Sequence, residues 1–181
     1  MLTILAGTNR PGSSTRKVVR HLEGVYRGLS RPFTVVDLLE LPPDAFTSAS
    51  YAQKPAALQP FIDKMVASTA LLVVTPEYNG GFPGALKYFI DMLPFPASLQ
   101  LRPTAFVGVA AGEWGALRSV EQLQMIFGYR NAYLYPERVF IRQCMKVLDA
   151  EGNITDPDIV KRLAAQAEGF LKFADAHAAN R

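Results

Sequence analysis

Short apolar runs and stretches of helical spacing alternate along this chain five times over, with short connections. Leu2–Ala6 and residues 33–36, 70–74, 104–110 and 131–134 are the predicted strands. Residues 70–74 are wholly apolar, as a strand buried on both faces must be. The intervening helices are expected over residues 15–29, 55–68, 83–92 and 116–127, with a last one over 156–177. The first carries Val18, Val19, Leu22, Val25, Tyr26 and Leu29 at helical spacing. The last opens on Asp156-Pro157, a capping residue followed by a proline suited to the first turn. Residues 38–51, with Pro42-Pro43, read as a loop, and residues 135–155 as irregular with a turn at Glu151-Gly152-Asn153. Strands and helices in strict alternation imply an α/β, three-layer sandwich: a five-stranded parallel sheet with helices on both faces. In such sheets ligands bind at the carboxyl ends of the strands, where the winding reverses. The loops after the first, third and fourth strands are therefore where chemistry is expected.

A chain of 181 residues suits a single domain spanning 1–181. Its formal charge of +3 is carried by scattered Lys and Arg with no basic run, so no nucleic-acid partner is expected. A lone cysteine, Cys144, cannot form an internal disulfide, which fits a reducing, cytoplasmic setting. No apolar run is long enough for a membrane span, and no leader precedes the first strand, so the expected protein is soluble and unanchored.

The loop after the first strand runs from Gly7 through Thr8, Arg10, Gly12, Ser13, Ser14 and Thr15 into a helix. A helix N-terminus offers unpaired N–H groups and a favourable dipole to an anion. Hydroxyls and the Arg10 guanidinium add donors. The loop lacks the Lys of a nucleoside-triphosphate loop, because Ser13 follows Gly12. It also lacks the three glycines of a dinucleotide loop. It suits a phosphate monoester such as that of FMN, although any one serine would serve equally as a plain helix cap. The loop after the third strand, Thr75-Pro76-Glu77-Tyr78-Asn79-Gly80-Gly81, combines glycines for close backbone approach, a ring to pack on a flat ligand, and an amide that donates and accepts. Alone, it reads equally well as a turn.

Together these segments resemble the NAD(P)H-dependent FMN reductase family of the flavodoxin-like fold. Gly7-Thr8-Asn9-Arg10-Pro11-Gly12-Ser13-Ser14-Thr15 is similar to the family's Gly-Ser-x-Arg-x-x-Ser-x-Asn. Pro76-Glu77-Tyr78-Asn79 matches its Pro-Glu-Tyr-Asn, and the run from Pro83 to Asp91 its Pro-Gly-x-Leu-Lys-Asn-x-Ile-Asp. The resemblance implies an enzyme that takes hydride from NADPH or NADH and passes electrons through FMN to a small acceptor: a flavin, quinone, azo dye or metal oxyanion. It implies that Thr8, Arg10, Ser13 and Thr15, with the Ser14 hydroxyl beside them, hold the FMN phosphate. Pro76, Glu77, Tyr78 and Asn79 would line the isoalloxazine ring. Gly112, within the loop 111–115, and Arg118 would flank its other side. Thr15 departs from the family's Asn, and Glu113 and Trp114 stand where relatives have small residues. Trp114 would narrow the nicotinamide site or stack in it, and Arg10, Arg16 and Arg118 are cations available to a 2′-phosphate.

Because the flavin carries the chemistry, no side-chain base, nucleophile or metal site is expected. His21 and His177 are expected at the surface, and Cys144 as an ordinary thiol. Relatives form dimers or tetramers, and the apolar stripes on the helices from Pro83 and Ala116 suit such an interface or simple packing on the sheet. Two other classes share the scaffold: a flavodoxin-type electron carrier, usually strongly acidic where this chain is +3, and a flavin-free binding protein.

Overall fold

The computed structural model describes residues 1–178. Its strands are β1 (Leu2–Ala6), β2 (Phe33–Asp37), β3 (Ala70–Pro76), β4 (Pro103–Val109) and β5 (Tyr133–Ile141). They pair in parallel in the order β2-β1-β3-β4-β5, the flavodoxin-like arrangement expected. The helices are α1 (Ser14–Gly28), α2 (Gln59–Ala67), α3 (Gly84–Met92), α4 (Leu117–Tyr129), the short α5 (Cys144–Val147) and α6 (Pro157–Ala176).

Successive residues of a strand point to opposite faces, so each central strand feeds two cores. Ile4, Leu72, Val74 and Val107 join α1 and α6 on one face. Leu5, Leu71, Val73 and Phe106 join α2, α3 and α4 on the other. This explains why the central strands read as unbroken apolar runs. The strands also end at different heights. Ala6 pairs with Val74, whereas β3 and β4 continue to the pair Pro76–Val109. A notch is left above β1, beside the taller β3.

Two expectations are corrected. Residues 55–68 form a 3-10 turn (Ala56–Leu58) before α2 proper, because Pro60 fits only the first turn of the α-helix. The last strand, expected to stop at residue 134, runs on to Ile141, and residues 135–155 are far from irregular. Register passes from Thr104–Leu134 to Phe106–Arg138, so residues 135–137 bulge opposite Ala105. Pro136 is tolerated there because β5 is an edge strand and the bulge asks no N–H of it. The carbonyls that the bulge strands are recovered by Gln166 of α6, whose Nε2 donates to Phe106 O and Glu137 O, each at 2.9 Å. Beyond β5, α5 and a hairpin closed at Leu148–Ile154 lead into α6.

Candidate functional site

At the end of β1 the Gly7 N–H donates to Val74 O at 2.8 Å, and the chain then turns outward. Thr8 is 2% exposed. Its Oγ1 accepts from Arg10 N at 3.2 Å and lies 2.8 Å from Tyr78 Oη, tying the first-strand loop to the third-strand loop. The Ser13 hydroxyl accepts from Arg16 N at 3.2 Å, so it is the N-cap of α1. The plain capping role and a place at an anion site thus coincide at this residue. No acidic residue stands in the first turn of α1, so nothing neutralises the positive end of its dipole.

After β3, the chain makes a two-residue hairpin. Asn79 and Gly80 have φ of 53° and 78°, and Tyr78 and Gly81 exchange N–H···O bonds of 2.8 and 3.1 Å. Two consecutive left-handed residues are the signature of a type I′ turn, which explains Asn-Gly at this place. Arg118 of α4 reaches Glu77 Oε1 at 3.4 Å. The other carboxylate oxygen of Glu77 is buried and has no partner among the described residues.

The loop after β4 folds back over its own strand. A side chain at Gly108 would place Cβ 2.3 Å from Gly115 O, so only glycine allows that approach. The segment after β5 then seals the side of the site: Cys144 N donates to Ala110 O at 3.0 Å and Gln143 N to Gly112 O at 3.1 Å.

These loops enclose a cavity of about 310 Å³, lined by Arg10–Thr15, Lys17, Pro76–Tyr78, Val109–Ala111, Cys144 and Met145. Of the expected residues, Arg10, Ser13, Ser14, Thr15, Pro76, Glu77 and Tyr78 line it. Thr8 stands behind the wall through Tyr78, while Asn79, Gly112 and Arg118 are not among the lining residues: Asn79 follows Tyr78 in the hairpin, Gly112 follows Ala111, and Arg118 touches Glu77. Trp114 is not among the residues that line the cavity. It is 62% exposed, with the Arg118 guanidinium 6.0 Å from its ring centroid. Arg16 is committed elsewhere, to Glu23 at 2.6 Å and Asp37 at 3.0 Å. Lys17, Cys144 and Met145 were not expected. The Cys144 and Met145 contributions depend on the backbone bonds to Ala110 and Gly112, which no local pattern announces. The two histidines are half-buried instead of exposed. His21 Nε2 is buried with no hydrogen-bond partner among the described residues, and burial lowers its pKa from the usual 6.5. His177 packs on Phe173 and Tyr133 at 4.3 and 4.6 Å between centroids.

The donor set suits a flat ligand with an anionic tail. Neither Arg10 nor Lys17 has an ion pair among the described residues, and both border the α1 N-terminus. The orphaned Glu77 oxygen calls for a ligand N–H at the other end. Residues 1–146 match the model of the NADPH-dependent FMN reductases. The chain belongs to that family. Membership makes the protein an FMN-dependent oxidoreductase with NAD(P)H as hydride donor. A quinone reductase of Pseudomonas putida is 34% identical over 162 residues, covering 86% of this chain and 84% of that protein. An NAD(P)H-dependent FMN reductase of Pseudomonas aeruginosa is 31% identical over 105 residues, 56% of this chain and 57% of that protein. The flavoenzyme NAD(P)H:(acceptor) oxidoreductase FerB of Paracoccus denitrificans superimposes with a TM-score of 0.81. That match covers 97% of each chain at 24% identity, a likeness of fold. In a doubly wound sheet of this strand order the winding reverses between β1 and β3, and the cavity opens at that switch point.

Proposed function

We propose that the cavity above β1 holds FMN and that the protein, working as a single domain in each subunit, passes electrons from NAD(P)H to a quinone, a flavin or a similar small acceptor. The observation that carries this is the meeting of two unpaired cations, a helix N-terminus and an orphaned carboxylate oxygen around one cavity of about 310 Å³. FMN, when bound, supplies the hydride chemistry. The chain's residues bind and orient. Arg10, the hydroxyls of Ser14 and Thr15, and the first-turn N–H groups of α1 receive the phosphate, while Ser13 holds that turn in shape. Pro76, Glu77 and Tyr78 line one side of the ring. Asn79 sets the hairpin that carries them, and Thr8 fixes the Tyr78 ring through the shared hydrogen bond. Gly112 and Arg118 at the rim bound the approach of the donor and acceptor. Of the three arginines available to a 2′-phosphate of NADPH, Arg16 and Arg118 already have carboxylate partners and Arg10 serves the flavin phosphate, so the chain reserves no cation for NADPH over NADH.

A second copy of the chain is proposed to cover the outer face of α3 and α4. Phe82, Ile90, Met125, Ile126 and Tyr129 line a hollow of about 510 Å³ there, and Met125 and Tyr129 are 69% and 81% exposed. Large apolar side chains grouped so openly mark an interaction surface. Light scattering during gel filtration should return a dimer or tetramer; a strict monomer would remove this part of the reading. A cytoplasmic location agrees with a single thiol and with the absence of any helix, among the described residues, long and apolar enough to cross a membrane.

The test of the main reading is spectroscopic. Protein mixed with FMN and passed through gel filtration should retain flavin absorption, and that absorption should bleach on anaerobic addition of NADPH or NADH and return with a quinone. Failure to bleach would leave a flavin-binding protein without the reductase activity. Failure to retain flavin, with no stimulation of NADPH oxidation by added FMN, would remove FMN from the cavity altogether.

A further inference from the structure

We propose that Lys17, held in place by the turn at Gly152, is a second cation gripping the flavin phosphate. The inference rests on the reading that FMN occupies the cavity with its phosphate over the α1 N-terminus. Lys17 lies one turn into α1, where a cation opposes the helix dipole. It nonetheless lines the cavity and has no carboxylate within ion-pair distance among the described residues. An anion bound over the helix N-terminus would offset that penalty and pair with the ammonium.

What keeps it there is a segment outside the part of the chain that matches the family. The match ends at residue 146, and the hairpin begins directly after it. Asp149 accepts from Gly152 N at 3.0 Å through its backbone oxygen, and its carboxylate takes Asn153 N at 2.7 Å and Asn153 Nδ2 at 3.0 Å. Asp149 is thus engaged within the turn, and neither it nor Glu151 forms an ion pair with Lys17 among the described residues. Gly152 is buried with φ +89°, and a Cβ there would lie 2.9 Å from Lys17 Cγ and 3.0 Å from its Cδ. The bare glycine forms a groove for the lysine stem, so less of its rotamer freedom is lost when the ammonium engages phosphate.

Flavin fluorescence quenching, with FMN and with riboflavin, which lacks the phosphate, tests this on the full chain freed of flavin. Lys17→Met should weaken FMN binding about tenfold to a hundredfold, the range for losing a charge-assisted bond, and leave riboflavin unchanged. Lys17→Arg should keep most of the affinity, and Lys17→Met should flatten the salt dependence of FMN binding. Gly152→Ala should weaken FMN several-fold in the parent chain and not further in the Lys17→Met background. If Lys17→Met leaves FMN within twofold while Arg10→Met weakens FMN alone, the phosphate sits on the loop and the Lys17 proposal is wrong. If Gly152→Ala costs the same in both backgrounds, the turn does not act through Lys17 and that half is overturned. If the unmodified protein binds FMN no better than riboflavin, the phosphate reading itself fails and takes this inference with it.

Discussion

The two ends of the site handle charge in opposite ways. Around the α1 N-terminus, Arg10 and Lys17 stand unpaired beside a helix dipole with no acid in its first turn. By α4, the Arg118 guanidinium is shared between Glu77 Oε1 and the Trp114 ring before a ligand arrives, and Glu77 Oε2 alone is left without a partner among the described residues. One end is incomplete without an anion. The other has its cation already paired and its arginine and tryptophan half in water, free to rearrange around different acceptors. Fixed recognition of one cofactor and tolerance of several acceptors can therefore share a single cavity.

Breaking the anionic end should produce the largest effect. Arg10→Ala is expected to lower FMN affinity about tenfold to a hundredfold without changing riboflavin affinity, since it removes charge-assisted bonds to phosphate. Fluorescence titration with both flavins distinguishes this from general damage. Cutting the link between the ends comes next. Thr8→Val removes a buried hydroxyl shared by Arg10 N and Tyr78 Oη, and should cost about 1–2 kcal/mol in urea unfolding. Tyr78→Phe should cost less, and the double variant should cost less than the sum, because both single changes delete one bond. At the rim the effect should be smaller and of another kind. Trp114→Ala should leave FMN affinity and stability nearly unchanged, within ~0.5 kcal/mol for an exposed side chain, while shifting KM for the acceptor. An equal loss of FMN affinity from Trp114→Ala and Arg10→Ala would erase the contrast between the two ends.

The smallest effect concerns pH. Burial lowers the folded pKa of His21 below the ordinary 6.5, so above that pH both states are neutral there and His21 contributes no slope. Below it the unfolded chain takes up the proton first, and stability falls as pH drops until the folded pKa is reached. His21→Gln should flatten that part of a melting-temperature profile. A parent profile already flat between the two values would contradict the assignment.

Most of the fold was legible because its signals are local. The apolar runs of β1 and β3, the cap at Asp156 and the prolines around α3 each act on their own neighbourhood. The loops carrying Arg10, Ser13, Ser14, Thr15 and Pro76–Tyr78 were legible for the same reason, and they do line the cavity. What escaped depends on distant partners. Pro136 and the charges at Glu137 and Arg138 hide the second half of β5, which exists because Gln166 bonds across its bulge. Cys144 and Met145 join the site through bonds to the loop after β4. The outward stance of Trp114 and the preoccupation of Arg16 are set by which acids and rings happen to lie nearby, which spacing in the chain does not encode.

Gln166 has one more consequence. The residues that match the family end at 146, and they include every cavity-lining group. A protein cut there would keep its whole chemical vocabulary and lose its grammar. The bulge carbonyls of Phe106 and Glu137 would face solvent, and Val107, Val139 and Ile141 would be stripped of Leu163, Ala167 and Phe170. The smallest active version of this enzyme is therefore set by the far end of α6, well beyond the last residue that could touch a ligand.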